Sequence, residues 1–257
     1  MRILFIGDIV GKPGREAISA FLPDLNREYS FDLVIANAEN ASGGRGLTKE
    51  VAEELYDKGI DFLTMGNHVC DQKDILKFID NENRLIRPAN YPKGAPGKGF
   101  GYVKKNGIKT GIINLSGRIF LPPLENPFSA VIQIINSIAV ETPVIIVDFH
   151  AEATSEKVAL GWFLNGKVSA VLGTHTHIQT ADARILDQGT AYITDVGMTG
   201  PRDSVLGVKK EIIINSFISQ MPVKFEVAAG PLQLNAVILE IDEKTGKTSQ
   251  IIPVQRY

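Results

Sequence analysis

Histidine is scarce in this chain, four residues in 257, and each one follows a short apolar run. His68 lies in Gly66-Asn67-His68 and His150 closes Val147-Asp148-Phe149-His150. The other two share Gly173-Thr174-His175-Thr176-His177. Two further apolar runs lead into acids, Asp8 after Ile6-Gly7 and Glu39 within Asn37-Ala38-Glu39-Asn40. Imidazoles, carboxylates and side-chain amides together form the donor set of a nitrogen/oxygen metal site. Asp8, Glu39, Asn40, Asn67, His150, His175 and His177 are therefore candidate ligands for two metal ions. Paired sites hold their ions ~3.5–4 Å apart with one bridging ligand and a bridging hydroxide. A carboxylate has two oxygens for that task, so Asp8 or Glu39 bridges, while each asparagine offers a carbonyl oxygen. In an extended segment His175 and His177 face the same side, roughly 6–7 Å apart along the strand, one ring for each ion. Two divalent ions against two carboxylates and one hydroxide leave a positive site, which attracts phosphate. Without thiolates the set favours Fe, Mn or Zn, and histidine argues against Ca or Mg.

Other residues carry weaker signals. Asparagine after a strand is also a common turn former, which is the plain alternative for Asn40 and Asn67. The loop Ser42-Gly43-Gly44-Arg45-Gly46 can make an amide nest for an anion, with Arg45 as a substrate contact, or can simply be a turn. Gly197, in the glycine-rich stretch from Thr194 to Arg202, shapes a substrate pocket or turns a corner. Gly7, Gly11 and Gly14 follow the first apolar run, but their spacing is not Gly-x-Gly-x-x-Gly, and a dinucleotide site would leave the histidines idle. The single cysteine, Cys70, excludes an intramolecular disulfide. Beside Val69 and Asp71 it has no positive neighbour to activate it and reads as a semi-buried, inert thiol.

These residues need elements that deliver them to one place. Arg2–Gly7, Phe31–Ala36 and Ile60–Met65 read as buried strands alternating with helices at about Arg15–Arg27, with Pro23 kinking or interrupting the first, and from Thr48 onward. A third helix is expected at about Gln72–Ile79. The rhythm implies parallel strands with right-handed crossovers, whose carboxyl ends hold the ligands of open α/β sheets. Phe100–Lys104 and Ile108–Leu115 form a hairpin around Asn106-Gly107. A helix to about Ala139 precedes the strand Val144–Phe149, and a helix at Ser155–Leu164 precedes Val168–Leu172. Antiparallel strands are expected at Ala183–Leu186, Thr190–Thr194, Lys224–Val227, Gln233–Ile241 and Ser249–Gln255, with a helix near Lys209–Ser219. The pattern predicts two packed sheets with helices outside, in one domain spanning 1–257.

Composition narrows the partners. A net charge of −2 with 44% hydrophobic and 22% charged residues advertises no polyanion or membrane partner. The chain opens on a charged residue and a short strand, so neither a signal peptide nor a membrane anchor is expected, and a cytoplasmic location follows. A nuclease for long nucleic acid would show a basic, aromatic-rich track, which is missing here.

Gly7-Asp8, Asn37-Ala38-Glu39-Asn40, Gly66-Asn67-His68, His150 and Gly173-x-His175-x-His177 come in the order of the calcineurin-like metallophosphoesterase blocks, which this chain resembles. It departs from that superfamily in having Asp8-Ile9-Val10 in place of Asp-x-His, and Glu39-Asn40 in the second block. Both departures, and the stretch Asp148 to Lys157, are similar to the YmdB subfamily. The resemblance implies a four-layer α/β/β/α sandwich. It further implies one metal on Asp8, Glu39, Asn40 and His177, the other on Glu39, Asn67, His150 and His175, with Glu39 bridging. Iron or manganese, a homo-oligomer and hydrolysis of small cyclic nucleotides, notably 2′,3′-cyclic ones, are implied as well. The expected reaction is in-line attack of the metal-bridging hydroxide on phosphorus. His68, beside a ligand but not needed as one, protonates the leaving ribose oxygen or supports the ligands by hydrogen bonding. A phosphoprotein phosphatase with the same dimetal chemistry, or a metal-dependent regulatory protein, is the alternative.

Overall fold

Strand side chains alternate between two faces, and in this protein both faces of most central strands are buried. The computed structural model describes residues 1–257. Its elements are, in order, β1 (Arg2–Ile6), β2 (Asp8–Ile9), α1 (Gly11–Tyr29), β3 (Leu33–Asn37), α2 (Lys49–Asp57), β4 (Phe62–Thr64) and β5 (Leu85–Ile86). They continue with β6 (Phe100–Lys105), β7 (Ile108–Ser116), α3 (Pro127–Ile138), β8 (Ile145–His150), α4 (Thr154–Phe163) and β9 (Ala170–Thr174). The last are β10 (Arg184–Ile185), β11 (Ala191–Ile193), β12 (Met198–Pro201), α5 (Lys210–Ser219), β13 (Leu232–Ile241) and β14 (Thr248–Arg256).

The strands form two sheets. One runs β2-β12-β13-β1-β3-β4-β5, with β14 also on β13; the other runs β10-β11-β9-β8-β7-β6. β1, β3, β4 and β5 are mutually parallel, as are β7, β8, β9 and β11. Three apolar layers hold the stack together. Leu4 and Ile6 pack outward against Ile18, Leu22 and Leu25 of α1 and Leu55 of α2. Ile3, Phe5, Leu33, Ile35 and Phe62 pack inward against Ile146, Ala170 and Leu172 of the facing sheet. Ile145, Val147 and Phe149 then meet Val131 and Ile138 of α3 and Leu160 of α4. The result is a four-layer α/β/β/α sandwich.

The inner layer changes character at one end. On β3 the inward series runs Leu33, Ile35, Asn37; on β4 it runs Phe62, Thr64. On β8 it runs Ile146, Asp148, His150, and on β9 Ala170, Leu172, Thr174. Each strand therefore delivers a polar side chain to the same rim, the carboxyl ends of both parallel sets, as period two requires.

Several local expectations are corrected. α1 begins at Gly11 and runs unbroken through Pro23, because residues on both sides of that proline bury against the sheet. Gln72–Ile79 yields only a 3₁₀ turn at Lys73–Lys77. In the last third β11 pairs with β9 in parallel. Lys224–Val227 is not a strand: its pairing stops at one bridge, Val208 with Val227, flanked by the Lys209 amide on Glu226 O, and Lys224, Phe225 and Glu226 are exposed. Cys70 is exposed and unpaired. The short strands β2, β5 and β12 have too few residues to show a period. No helix is long and apolar enough to cross a membrane.

The β6–β7 hairpin closes on Asn106 and Gly107 with φ of 53° and 84°. Two successive positive φ values are the I′ turn that Asn-Gly favours. Replacing Gly107 with valine forces a β-branched residue into that region and should lower stability by about 1–2 kcal/mol, read as a lower urea midpoint at unchanged m-value.

Candidate metal centre

The rim gathers the scarce histidines and the two acids. His150 is fully buried, and its Nε2 lies 3.1 Å from Glu39 Oε1, 3.1 Å from Asn67 Oδ1 and 2.9 Å from His175 Nδ1. Glu39, His150 and His175 each present a donor atom within 4.8 Å of the others, a grouping able to hold a metal ion. Asp8 stands beside this group. Its Oδ2 accepts the His175 amide at 3.2 Å, while Oδ1 lies 3.7 Å from His150 Nδ1 and 4.0 Å from His177 Nε2. Asn40 gives its amide to Gly44 O at 3.0 Å. All seven candidate ligands thus meet at one rim.

The chemistry of this set fits a cation. Asp8 Oδ1 and Asn40 Oδ1 are buried acceptors with no hydrogen-bond donor in the protein, and acceptors left so are costly. Burial alone would push His150 down, but Glu39 in contact, with Asp8 and Asp148 nearby, pushes it up to about 9. Burial pushes the Glu39 carboxyl up, and the His150 imidazole with the His68 amide overcomes that and holds it at about 2. Burial raises Asp8 despite His177 and His150. Burial, and then the neighbouring His150, lowers His175 to about 3.

The candidate ligand rings are oriented by groups behind them. Thr174 donates its hydroxyl to Asp148 Oδ1 at 2.7 Å, so its oxygen is left to accept His150 Nδ1–H at 2.9 Å. That aims His150 Nε2 at Glu39, Asn67 and His175. Asp148 also accepts from Thr64 and from Asn37 Nδ2, and Asn37 Oδ1 accepts the Glu39 amide at 3.1 Å. His177 donates Nδ1–H to Leu206 O at 3.0 Å, which leaves Nε2 facing Asp8. Such outer partners set tautomer and basicity in metal sites. Gly66 must stay bare, because an added Cβ would overlap the Glu39 carboxylate and the His150 ring.

The His175–His177 segment is not extended, contrary to the strand geometry expected for it. β9 ends at Thr174, and His175 and His177 have φ of 100° and 66°. Positive φ at non-glycine residues is strained, and a buried ion pair holds the loop there. Lys157 Nζ, 1% exposed, donates to Asp195 Oδ2 at 2.6 Å and to Thr174 O at 2.7 Å. Asp195 accepts the Thr176 and Gly197 amides at 3.0 and 2.8 Å.

A cavity of about 490 Å³ opens over the centre, lined by Glu39, Asn40, His68, His175 and His177. His68 holds Asp71 Oδ2 through Nδ1 at 2.9 Å, and Arg45, also lining the cavity, approaches the same carboxylate at 3.5 Å. Gly197 does not line it; its amide serves Asp195, and it packs beside Gln179 and Asn235. Glu152, whose carboxylate meets His175 Nε2 at 3.1 Å, was not singled out from the sequence, and neither were Lys157 and Asp195. Asp148 could have been, since it lies two residues before His150 and shares its strand face.

The sandwich and the cluster at its rim define the class, a metallophosphoesterase-type protein. The family model for YmdB-like proteins matches residues 4–254, and the chain belongs to that family. A relative from Bacillus subtilis (strain 168), named 2′,3′-cyclic-nucleotide 2′-phosphodiesterase, is 54% identical over 251 residues, 98% of this chain and 95% of its own length. A Mycoplasma pneumoniae structure described as a novel phosphatase is 39% identical with a TM-score of 0.94, covering 100% of this chain and 93% of that one. A hypothetical protein from Thermus thermophilus is 41% identical with a TM-score of 0.93, covering 100% and 99%. A Staphylococcus aureus structure at 15% identity and TM-score 0.60, covering 99% and 54%, shares the fold alone.

Lys157→Met leaves the Asp195 carboxylate buried without its cation. It should cost about 3–5 kcal/mol of stability, measured by denaturant unfolding; a loss under 1 kcal/mol (roughly the worth of a surface pair) would show that water compensates.

Proposed function

We propose that this protein hydrolyses small cyclic phosphodiesters, 2′,3′-cyclic nucleotides in particular, at a centre of two metal ions. The observation that carries the reading is the convergence of Glu39, Asn67 and His175 on His150 Nε2, beside buried Asp8 and Asn40 oxygens that lack donors. The substrate class is supported by the named activity of the Bacillus relative. Asp8, Asn40 and His177 would hold one ion, Asn67, His150 and His175 the other, and Glu39 both. The nitrogen/oxygen donors suit iron or manganese, with zinc also compatible. Bound there, the ions would supply the Lewis acidity that activates water and offsets charge on the phosphoryl oxygens.

The chain's own groups do the rest. Arg45, on the cavity wall, offers a guanidinium to a phosphate oxygen. As the water oxygen bonds to phosphorus and sheds a proton to bulk water, the bond from phosphorus to one ribose oxygen breaks. That oxygen takes a proton from His68 Nε2, which bulk water then replaces, while Asp71 orients the ring through Nδ1. A cyclic ester of a nucleoside suits a bounded cavity better than a long polymer does.

Glu39→Gln removes the shared carboxylate. Metal content by elemental analysis should fall, and kcat/KM on 2′,3′-cyclic AMP should drop by more than roughly 100-fold, since outer partners alone are worth 10–100-fold. Full metal and full turnover in that variant, or phosphopeptide hydrolysis outpacing that of cyclic nucleotides in the wild type, would sink the reading. His68→Ala should cut kcat by about 10²–10⁴-fold on a ribose-oxygen leaving group and far less on p-nitrophenolate. Equal losses on both would assign His68 to holding the site instead.

A further inference from the structure

The cavity has two unlike walls. Besides the candidate ligands, it is lined by Val205, Leu206, Ile213, Phe217, Phe225 and Val227, contributed by α5 and the segments on either side of it. None of these side chains can donate or accept a hydrogen bond. Phe217 and Phe225 are held largely in water, 79% and 58% exposed, and no aromatic partner packs on either ring. α5 itself buries no residue. An enzyme acting on inorganic phosphate or a compact diester would gain nothing from such a wall. A ligand with a charged phosphate at one end and a flat, weakly hydrated ring at the other would use both walls at once.

Resting on the reading above, we propose that this wall is the nucleobase subsite, with Phe225 and Phe217 stacking the base while the phosphate lies at the metal centre. The occupant is argued from continuity, because the apolar side chains and the candidate ligands line one and the same cavity. Stacking on aromatic faces accepts any base, since every base has a π-face. The subsite therefore selects nucleotides over base-free phosphates without reading the edge of the base. His177 ties the two walls together, because its Nδ1 donates to Leu206 O. The segment that carries the wall thus also orients a candidate ligand.

The test is equilibrium binding to the metal-loaded protein by calorimetry, with adenosine 3′-phosphate, uridine 3′-phosphate and inorganic phosphate as probes. The wild type should bind both nucleotides tighter than phosphate. Phe225→Ala and Phe217→Ala should each shrink that preference by about 5–100-fold, the range that base–aromatic stacking covers, and Phe225→Tyr should restore it. Phe120→Ala, which alters an exposed ring outside the cavity, should change nothing. Equal affinity of the wild type for nucleotide and phosphate, or an unchanged preference in both alanine variants, overturns the subsite. Nucleotide preference without hydrolysis of the cyclic esters keeps the subsite and removes the proposed reaction. Sedimentation of the same variants separates a second occupant: a drop in assembled mass that accompanies the affinity loss would make these rings a subunit contact and overturn the assignment.

Discussion

Desolvated negative charge at the rim of the inner core is the constraint on which the rest depends. Asp8, Glu39 and Asp148 are each at most 1% exposed, and burying carboxylates is costly unless a cation or donors meet them. Asp148 is answered by Thr64, Thr174 and Asn37. Glu39 is answered by His150 and the His68 amide. Asp8 is answered on one oxygen only. The rim is a polar network with an unmatched acceptor side.

The scaffold makes that rim by a simple rule. Inward positions on four neighbouring strands are apolar until their last residues, which turn polar together because all four run the same way within their sheets. The apolar layer beneath excludes water and strengthens each polar contact above it. Precision comes from the groups that the candidate ligands lean on. Thr174 sets the His150 tautomer, Leu206 O sets that of His177, and the Lys157–Asp195 pair holds a loop whose backbone angles are unfavourable in themselves. Buried ion pairs contribute little net stability, so this one is better understood as fixing a conformation.

The cavity joins this polar floor to an apolar wall. Charge is attracted at one end, where Arg45 and the ligand cluster lie, and area is available at the other. The wall belongs to a segment that contributes little to the core.

Much of this was legible beforehand. Two packed sheets with helices outside, the parallel strands that carry the candidate ligands, the Asn106-Gly107 hairpin and the placing of Asp8, Glu39, Asn40, Asn67 and the histidines after strands all follow from periodicity and residue type, which are local properties, while the four-layer α/β/β/α order was implied by the family resemblance. What stayed hidden depends on partners distant in the chain. Two-residue strands such as β2 and β5 exist only because a neighbouring edge is present to pair with them, and 224–227 falls short of a strand because its pairing stops at one bridge to Val208. Gly197 looked like a pocket residue until the Asp195 carboxylate claimed its amide. Lys157 sits in an ordinary helix and becomes important only where Asp195, 38 residues away, meets it in a water-free interior. Sequence by itself determined which donors the chain owns and that strand ends would bear them. Tertiary structure alone decided which oxygens are left without donors and which wall faces them, because burial and pairing are properties of the space between elements.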